Sequence, residues 1–172
     1  GTHTEYVGHL LENPGDVGMC LRDIMIPTVL ITVNPSSFVD GKESYHCDVM
    51  DNEQIISRKS IQKEVEKWKE YKPQALIIRT TPNFNEKKYY RYTQHIPPFF
   101  TNDALRFIAI SDIQHLIVDL PSIDRMVDNG ILGNHRIFWG DGENARGDVN
   151  PESTNTITEL VFIENDVLDG FY

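Results

Sequence analysis

The chain of 172 residues carries 26 Asp and Glu against 16 Lys and Arg, a formal charge of -10, with 40% hydrophobic and 24% charged residues. That length suits one domain with its own core, and the acidic balance excludes nucleic acid or an anionic membrane surface as the main partner, because a phosphate-binding face needs clustered Lys and Arg. No apolar run approaches the ~18 residues of a membrane helix, and Cys20 and Cys47, without CxxC spacing, make no disulfide framework, so the composition reads as a soluble protein of a reducing compartment, the cytoplasm.

The chain opens on "GTHTEYVGHLLENPGDVG". Alternate residues of an extended segment share a face, so His3 and Glu5 stand side by side, and the chain can bend at Gly8 to bring His9 over the same space. Two such donors can meet one metal ion, although a surface turn with incidental histidines has the same sequence, and a metal site needs further ligands. "TVLITV" (Thr28 to Val33) is the first strand by its branched residues. "SIQKEVEKWKEY" (Ser60 to Tyr71) places Ile61, Val65 and Trp68 on one face, the spacing of an amphipathic helix with Ser60 at its cap.

"ALIIRT" (Ala75 to Thr80) is the second strand, and the stretch from Thr80 to Phe100 a long aromatic loop closed by Pro97-Pro98. Its basic run "NEKKYYRY" (Asn85 to Tyr92) reads as a solvated loop. Its aromatics either wall an apolar pocket for an aryl or small-ring substrate, or pack beneath the loop or at a subunit interface. A helix follows at Thr101 to Ser111, capped by Thr101 or Asn102, with Leu105, Ile108 and Ala109 inward. "HLIVDL" (His115 to Leu120) is the third strand, and Asp119 in "DLPSIDR" lies at its C-terminal end, where α/β sheets place functional loops. "GNHRIFW" (Gly133 to Trp139) sets His135 among apolar residues, as fits a packed histidine as readily as a ligand. Trp139 to Thr154 is a polar excursion whose "RGD" (Arg146 to Asp148) is incidental to its composition, and Thr156 to Ile163 is the last strand. Strands alternating with helices give an α/β fold.

"GTHTEYVGH" resembles the signature His-x-Gly-Thr-His-x-Asp-x-x-x-His of the cyclase-like metal-dependent hydrolases, the family of kynurenine formamidase and isatin hydrolase. "LIVDLPSID", then His135 with Ile137-Phe138 after it, then Glu159 in "TITEL", continue that family's pattern in order, from Gly1 to Tyr172. The resemblance implies a swivelling β/β/α fold over residues 1–172, often assembled as a homodimer. It implies that His3, Glu5, His135 and Glu159 hold zinc or manganese, with Glu5 where the family has a bridging Asp, and that His9 is the catalytic histidine. The reaction implied is cleavage of an amide-type C–N bond, in a formamide or small cyclic amide, by a metal-activated water. Three differences accompany it: Glu5 is one methylene longer than Asp, residues 140–154 lengthen the path from His135 to Glu159, and the signature's first histidine would precede Gly1, so that an N-terminal segment is missing or the site is incomplete. The rival reading is a non-catalytic member of the same fold that acts as a binding or dimerisation module.

Overall fold

The computed structural model of the protein describes residues 1–23 and 25–172. In chain order the elements are β1 (His3–Tyr6), β2 (Thr28–Val33), β3 (Ser36–Ser37), α1 (Phe38–Gly41), β4 (Gln54–Ile56), α2 (Arg58–Val65), β5 (Ala75–Thr80), β6 (Phe99–Phe100), α3 (Asn102–Ala109), β7 (His115–Val118), α4 (Gly133–Trp139), β8 (Thr156–Glu159) and β9 (Gly170–Phe171). The main sheet runs β1-β8-β7-β5-β2-β9, and a small one runs β3-β4-β6. Strands β2, β5, β7 and β8 are parallel, with β1 and β9 antiparallel at the two edges. The fold is thus mixed α/β. No helix among the described residues is long and apolar enough to cross a membrane.

Period-two alternation decides which residues meet the helices. Val29, Ile31 and Val33 of β2, Leu76 and Ile78 of β5, Leu116 and Val118 of β7, and Ile157 of β8 form one buried surface with Ile61 and Val65 of α2, Leu105 and Ile108 of α3, and Phe138 and Trp139 of α4. Each fully buried aliphatic side chain here contributes about 1.5–3 kcal/mol from water exclusion, and Trp139 has no exposed surface at all.

Helix α3 begins where the sequence places it, with the Thr101 hydroxyl accepting from the Ala104 N–H at 3.1 Å. The helix expected from Ser60 starts earlier, because Ser57 is the residue that caps it, accepting from Ser60 N–H at 3.2 Å. After Val65 it tightens into a 3-10 helix over Glu66–Tyr71. The last strand is shorter than expected: Leu160 takes a left-handed backbone (φ 56), and its N–H turns aside to the Leu120 carbonyl at 2.9 Å. The third strand ends at Val118 because Asp119 leaves the ladder, its carboxylate accepting from Thr80 N–H (2.7 Å) and Thr80 Oγ1–H (2.9 Å).

Arg79, on the face of β5 away from the helices, gathers the C-terminal segment. Its guanidinium donates to the carbonyls of Glu164 (2.7 Å) and Val167 (2.8 Å) and to Asp169 Oδ1 (2.9 Å). Asp169 in turn accepts from the Thr32 N–H at 2.7 Å, which delivers β9 to the outer edge of β2.

Candidate metal centre

The alternation that buries Ile157 sends Glu159, two residues on, to the same face of β8. Glu5 lies opposite Ile157 in the β1–β8 ladder, and His3 lies opposite Glu159. The apolar rows of the sheet therefore end in two carboxylates, 8% and 4% exposed. Helix α4 packs across this end with Trp139 in the core, and His135, one turn earlier, shares its face; the two rings are 5.2 Å apart. Glu5, His135 and Glu159 each present one donor atom within 4.8 Å of the others. His135 Nε2 is 2.7 Å from Glu5 Oε1 and 3.7 Å from Glu159 Oε1. His3, half exposed, approaches from the solvent side, its Nε2 4.0 Å from Glu5 and 3.9 Å from Glu159. The 3-10 turn Val7–Leu10 folds His9 back over the group, placing Nδ1 3.3 Å from Glu5 Oε2 and its ring 5.9 Å from that of His135. The five residues that the resemblance names, His3, Glu5, His9, His135 and Glu159, meet at one place.

The charges are strongly coupled. Burial pushes the Glu159 carboxyl up, the neighbouring Glu5 charge adds to this, and the result is about 7. Burial also acts to raise Glu5, but the hydrogen bond and charge of His135, with His9 and His3 behind it, outweigh burial and hold Glu5 below the usual carboxylate range. For His135, burial favours the neutral ring, yet hydrogen bonds to Asp124 and Glu5 prevail and carry it to about 10. With no cation present, the imidazolium of His135 supplies the positive charge between two buried carboxylates.

Asp124 is the member that reading the sequence did not single out, though it lies within the quoted "DLPSIDR". Its Oδ2 accepts from His135 Nδ1 at 2.7 Å, and its Oδ1 accepts from Asn134 N–H (2.9 Å) and the Tyr45 hydroxyl (3.2 Å). A carboxylate at Nδ1 directs Nε2 of the same ring into the cluster, the arrangement that commonly orients metal-binding histidines. Glu159 is held likewise, its Oε1 accepting from Ile123 N–H at 3.1 Å. Asp119 plays no part here: it is buried against Lys87 Nζ at 2.6 Å.

His46, Asp124 and Asp128 form a second acidic group, but the hydrogen bonds around His46 leave that ring no lone pair for a cation. Asn134 Nδ2 donates to the Phe100 and Ile123 carbonyls, both at 2.8 Å, so Asn134 Oδ1 must accept from Asn102 Nδ2 (2.8 Å). The remaining proton of that amide meets His46 Nδ1 at 3.1 Å. A neutral His46 therefore carries its hydrogen on Nε2. Its ring also packs against the α-carbon of Gly133, where any Cβ would collide with it.

The first cluster suits a cation. His3 Nδ1 lies 3.0 Å from the Gly1 carbonyl, which only accepts, so the neutral ring turns a lone pair on Nε2 toward two carboxylates. Donor atoms that share one ion at ~2.0–2.2 Å sit roughly 3–4 Å apart, the range spanned by most of these separations.

A pH dependence follows for metal-free protein. Glu159, ordinarily at 4.5, keeps its proton to about 7 when folded, and His135, ordinarily at 6.5, keeps its proton to about 10. Both groups hold protons in the folded state that the unfolded state has released, so stability falls as pH rises through these windows. The lowered Asp124, Glu5, His46 and His115 act in the opposite sense, but only below about pH 6.5. Metal-free protein is expected to melt at least about 5 °C lower at pH 9 than at pH 6, and a bound divalent ion should weaken or reverse the trend because it requires deprotonated donors. A metal-free melting temperature that rises from pH 6 to pH 9 would contradict the protonated His135.

The family model described as "Putative cyclase" matches residues 1–125, which include His3, Glu5, His9 and Asp124. A solved structure of a potential metal-dependent hydrolase with cyclase activity is similar over 100% of this chain, at 16% identity and a TM-score of 0.53. A predicted metal-dependent hydrolase from Bacillus stearothermophilus gives the same identity and TM-score, again over 100% of this chain. The chain spans 66% and 65% of the length of these two structures. No curated protein matches the sequence.

Proposed function

The chain belongs to the "Putative cyclase" family, and from that premise we propose that it is a metal-dependent hydrolase acting on an amide-type C–N bond, in a formamide or small cyclic amide. In this reading His3, Glu5, His135 and Glu159 hold a divalent cation, zinc or manganese. The observation that carries it is the convergence of two buried carboxylates, the Nε2 lone pair of His3 and the Asp124-oriented His135 on one point. Bound there, the cation supplies a Lewis acid that lowers the pKa of water toward ~7 and polarises the carbonyl to be attacked.

The chain's own residues do the rest. Asp124 keeps the proton of His135 on Nδ1, leaving Nε2 to coordinate. The Ile123 N–H fixes one oxygen of Glu159, so that carboxylate does not swing when substrate enters. His9, half exposed and 3.3 Å from Glu5, takes the proton that the attacking water gives up as its oxygen bonds the carbonyl carbon, and returns it to the departing nitrogen as the C–N bond breaks. Its exposure leaves it in contact with both substrate and solvent.

The test joins elemental analysis with hydrolysis assays of N-formylaniline and of five- and six-membered lactams, in added zinc or manganese. About one equivalent of divalent ion and turnover of at least one substrate are expected. Metal bound without turnover in these classes would move the reading to a non-catalytic module, and absence of both would overturn it.

A further inference from the structure

His135 and Glu159 are each held by one intermediary. Asp124 Oδ2 accepts from His135 Nδ1 at 2.7 Å, and the Ile123 N–H donates to Glu159 Oε1 at 3.1 Å. Asn134 touches both intermediaries. Its main-chain N–H donates to Asp124 Oδ1 at 2.9 Å, and its side-chain Nδ2 donates to the Ile123 carbonyl at 2.8 Å. The other proton of that amide goes to the carbonyl of Phe100 in β6, also at 2.8 Å. We propose that Asn134 is a positioning residue of the cation site, which sets the separation of His135 and Glu159 through Asp124 and Ile123. The inference rests on the reading of the cluster as a cation site, but not on the reaction assigned to it.

The amide of Asn134 has one orientation. Carbonyl oxygens only accept, so the two that Nδ2 meets fix which end is nitrogen, and Oδ1 then faces Asn102 Nδ2 at 2.8 Å. Asn102 is anchored in turn, its N–H donating to the Ser44 carbonyl at 3.0 Å and its second amide proton meeting His46 Nδ1 at 3.1 Å. Asn134 has no exposed surface and Asn102 almost none. Turning the Asn134 side chain would give up three hydrogen bonds in a place where solvent replaces none of them.

A cation needs that rigidity. His135 Nε2 and Glu159 Oε1 stand 3.7 Å apart, and an ion bonded to both at ~2.0–2.2 Å tolerates only a small drift in this distance. The two donors come from α4 and from the last residue of β8, elements that share no ladder and are tied here through Asn134. A satisfied buried amide adds little net stability, whereas its directional bonds fix distances. Without the Asn134 side chain, the Ile123 carbonyl keeps only the longer bond from the Phe100 N–H, at 3.3 Å. The Ile123 peptide is then free to tilt, which carries its N–H away from Glu159.

The test is titration of the full chain with cobalt(II), whose visible absorption follows coordination number and geometry, with affinity read by chelator competition well below each variant's melting temperature. Asn134→Leu, neutral and close in volume, is expected to bind cobalt at least about tenfold more weakly and with an altered spectrum. Asn102→Ala, which removes only the donor to Asn134 Oδ1, should move both readouts the same way by less, at least about threefold in affinity. Ile61→Ala opens a cavity in the core under α2 and should lower the melting temperature while leaving spectrum and affinity as in the parent. If Asn134→Leu does not fold, Asn102→Ala decides alone. Parent-like spectrum and affinity in the asparagine variants would overturn the proposal, as would an equal change in Ile61→Ala, which would make the effect one of general stability. A parent chain that binds no cobalt would overturn the cation reading and this proposal together, whereas a binding parent with parent-like asparagine variants would overturn this proposal alone.

Discussion

His135→Ala is expected to cost the protein its divalent ion. A four-ligand site worth ~10–16 kcal/mol divides into several kcal/mol per ligand, so loss of this imidazole should weaken the site about 10²- to 10³-fold in a chelator competition, and stoichiometric retention should disappear. His135 is also the positive group between Glu5 and Asp124, 2.7 Å from each, so the alanine variant leaves two buried carboxylates facing a gap. His135→Gln, whose amide can still donate, is the companion that separates loss of metal from loss of fold. Asp124→Asn keeps the shape but puts an amide where Nδ1–H needs an acceptor, and its effect should be smaller, about 10- to 100-fold, as for partners of metal-binding histidines elsewhere. The order His135→Ala worse than Asp124→Asn is itself diagnostic. Full metal content in either His135 variant would remove His135 from the site.

The second large effect concerns turnover. His9→Ala is expected to lower kcat by about 10²- to 10⁴-fold, the usual worth of a general acid–base group, with little change in KM. Metal content should be unchanged, because His9 touches Glu5 from the solvent side while the four proposed ligands remain. Kinetics and elemental analysis on one preparation separate the alternatives. Metal lost in step with activity would make His9 a ligand or a prop, and activity within about threefold of the parent would rule it out as the proton-transfer group.

Much of this site was legible because strands announce their faces. His3 and Glu5 at i and i+2 follow from period-two alternation once the segment is taken as a strand, whereas Glu159 was marked by the family resemblance alone. His9 was within reach because Gly8 marks a bend. Helix α4 was not legible: it is seven residues long, buried on nearly every side, and so shows no polar face to set a 3.6-residue period. Its start is hidden too, since Leu132 before it has a left-handed backbone (φ 53) and the carboxylate that satisfies its first N–H groups comes from Asp124, ten residues upstream of Asn134. Asp124 could be recognised only after the loop was folded. The aromatic loop was expected to wall an apolar pocket or to pack beneath itself, and Tyr90, Tyr92 and Pro98 do line a cleft of about 440 Å³.

The knot around Arg79 reaches beyond the local fold. It positions β9, whose Gly170 and Phe171 pair with Leu30 and Val29 while Tyr172 exchanges hydrogen bonds with Thr28 at 2.8 and 2.9 Å. Without that short strand, β2 would present a row of open amide and carbonyl groups along the sequence Val-Leu-Ile, the kind of border to which another chain adds itself. A single guanidinium therefore acts as a guard against self-association. Protein cut or mutated in the last ten residues should fail first by clumping, with the His3–Glu5–His135–Glu159 cluster still in place.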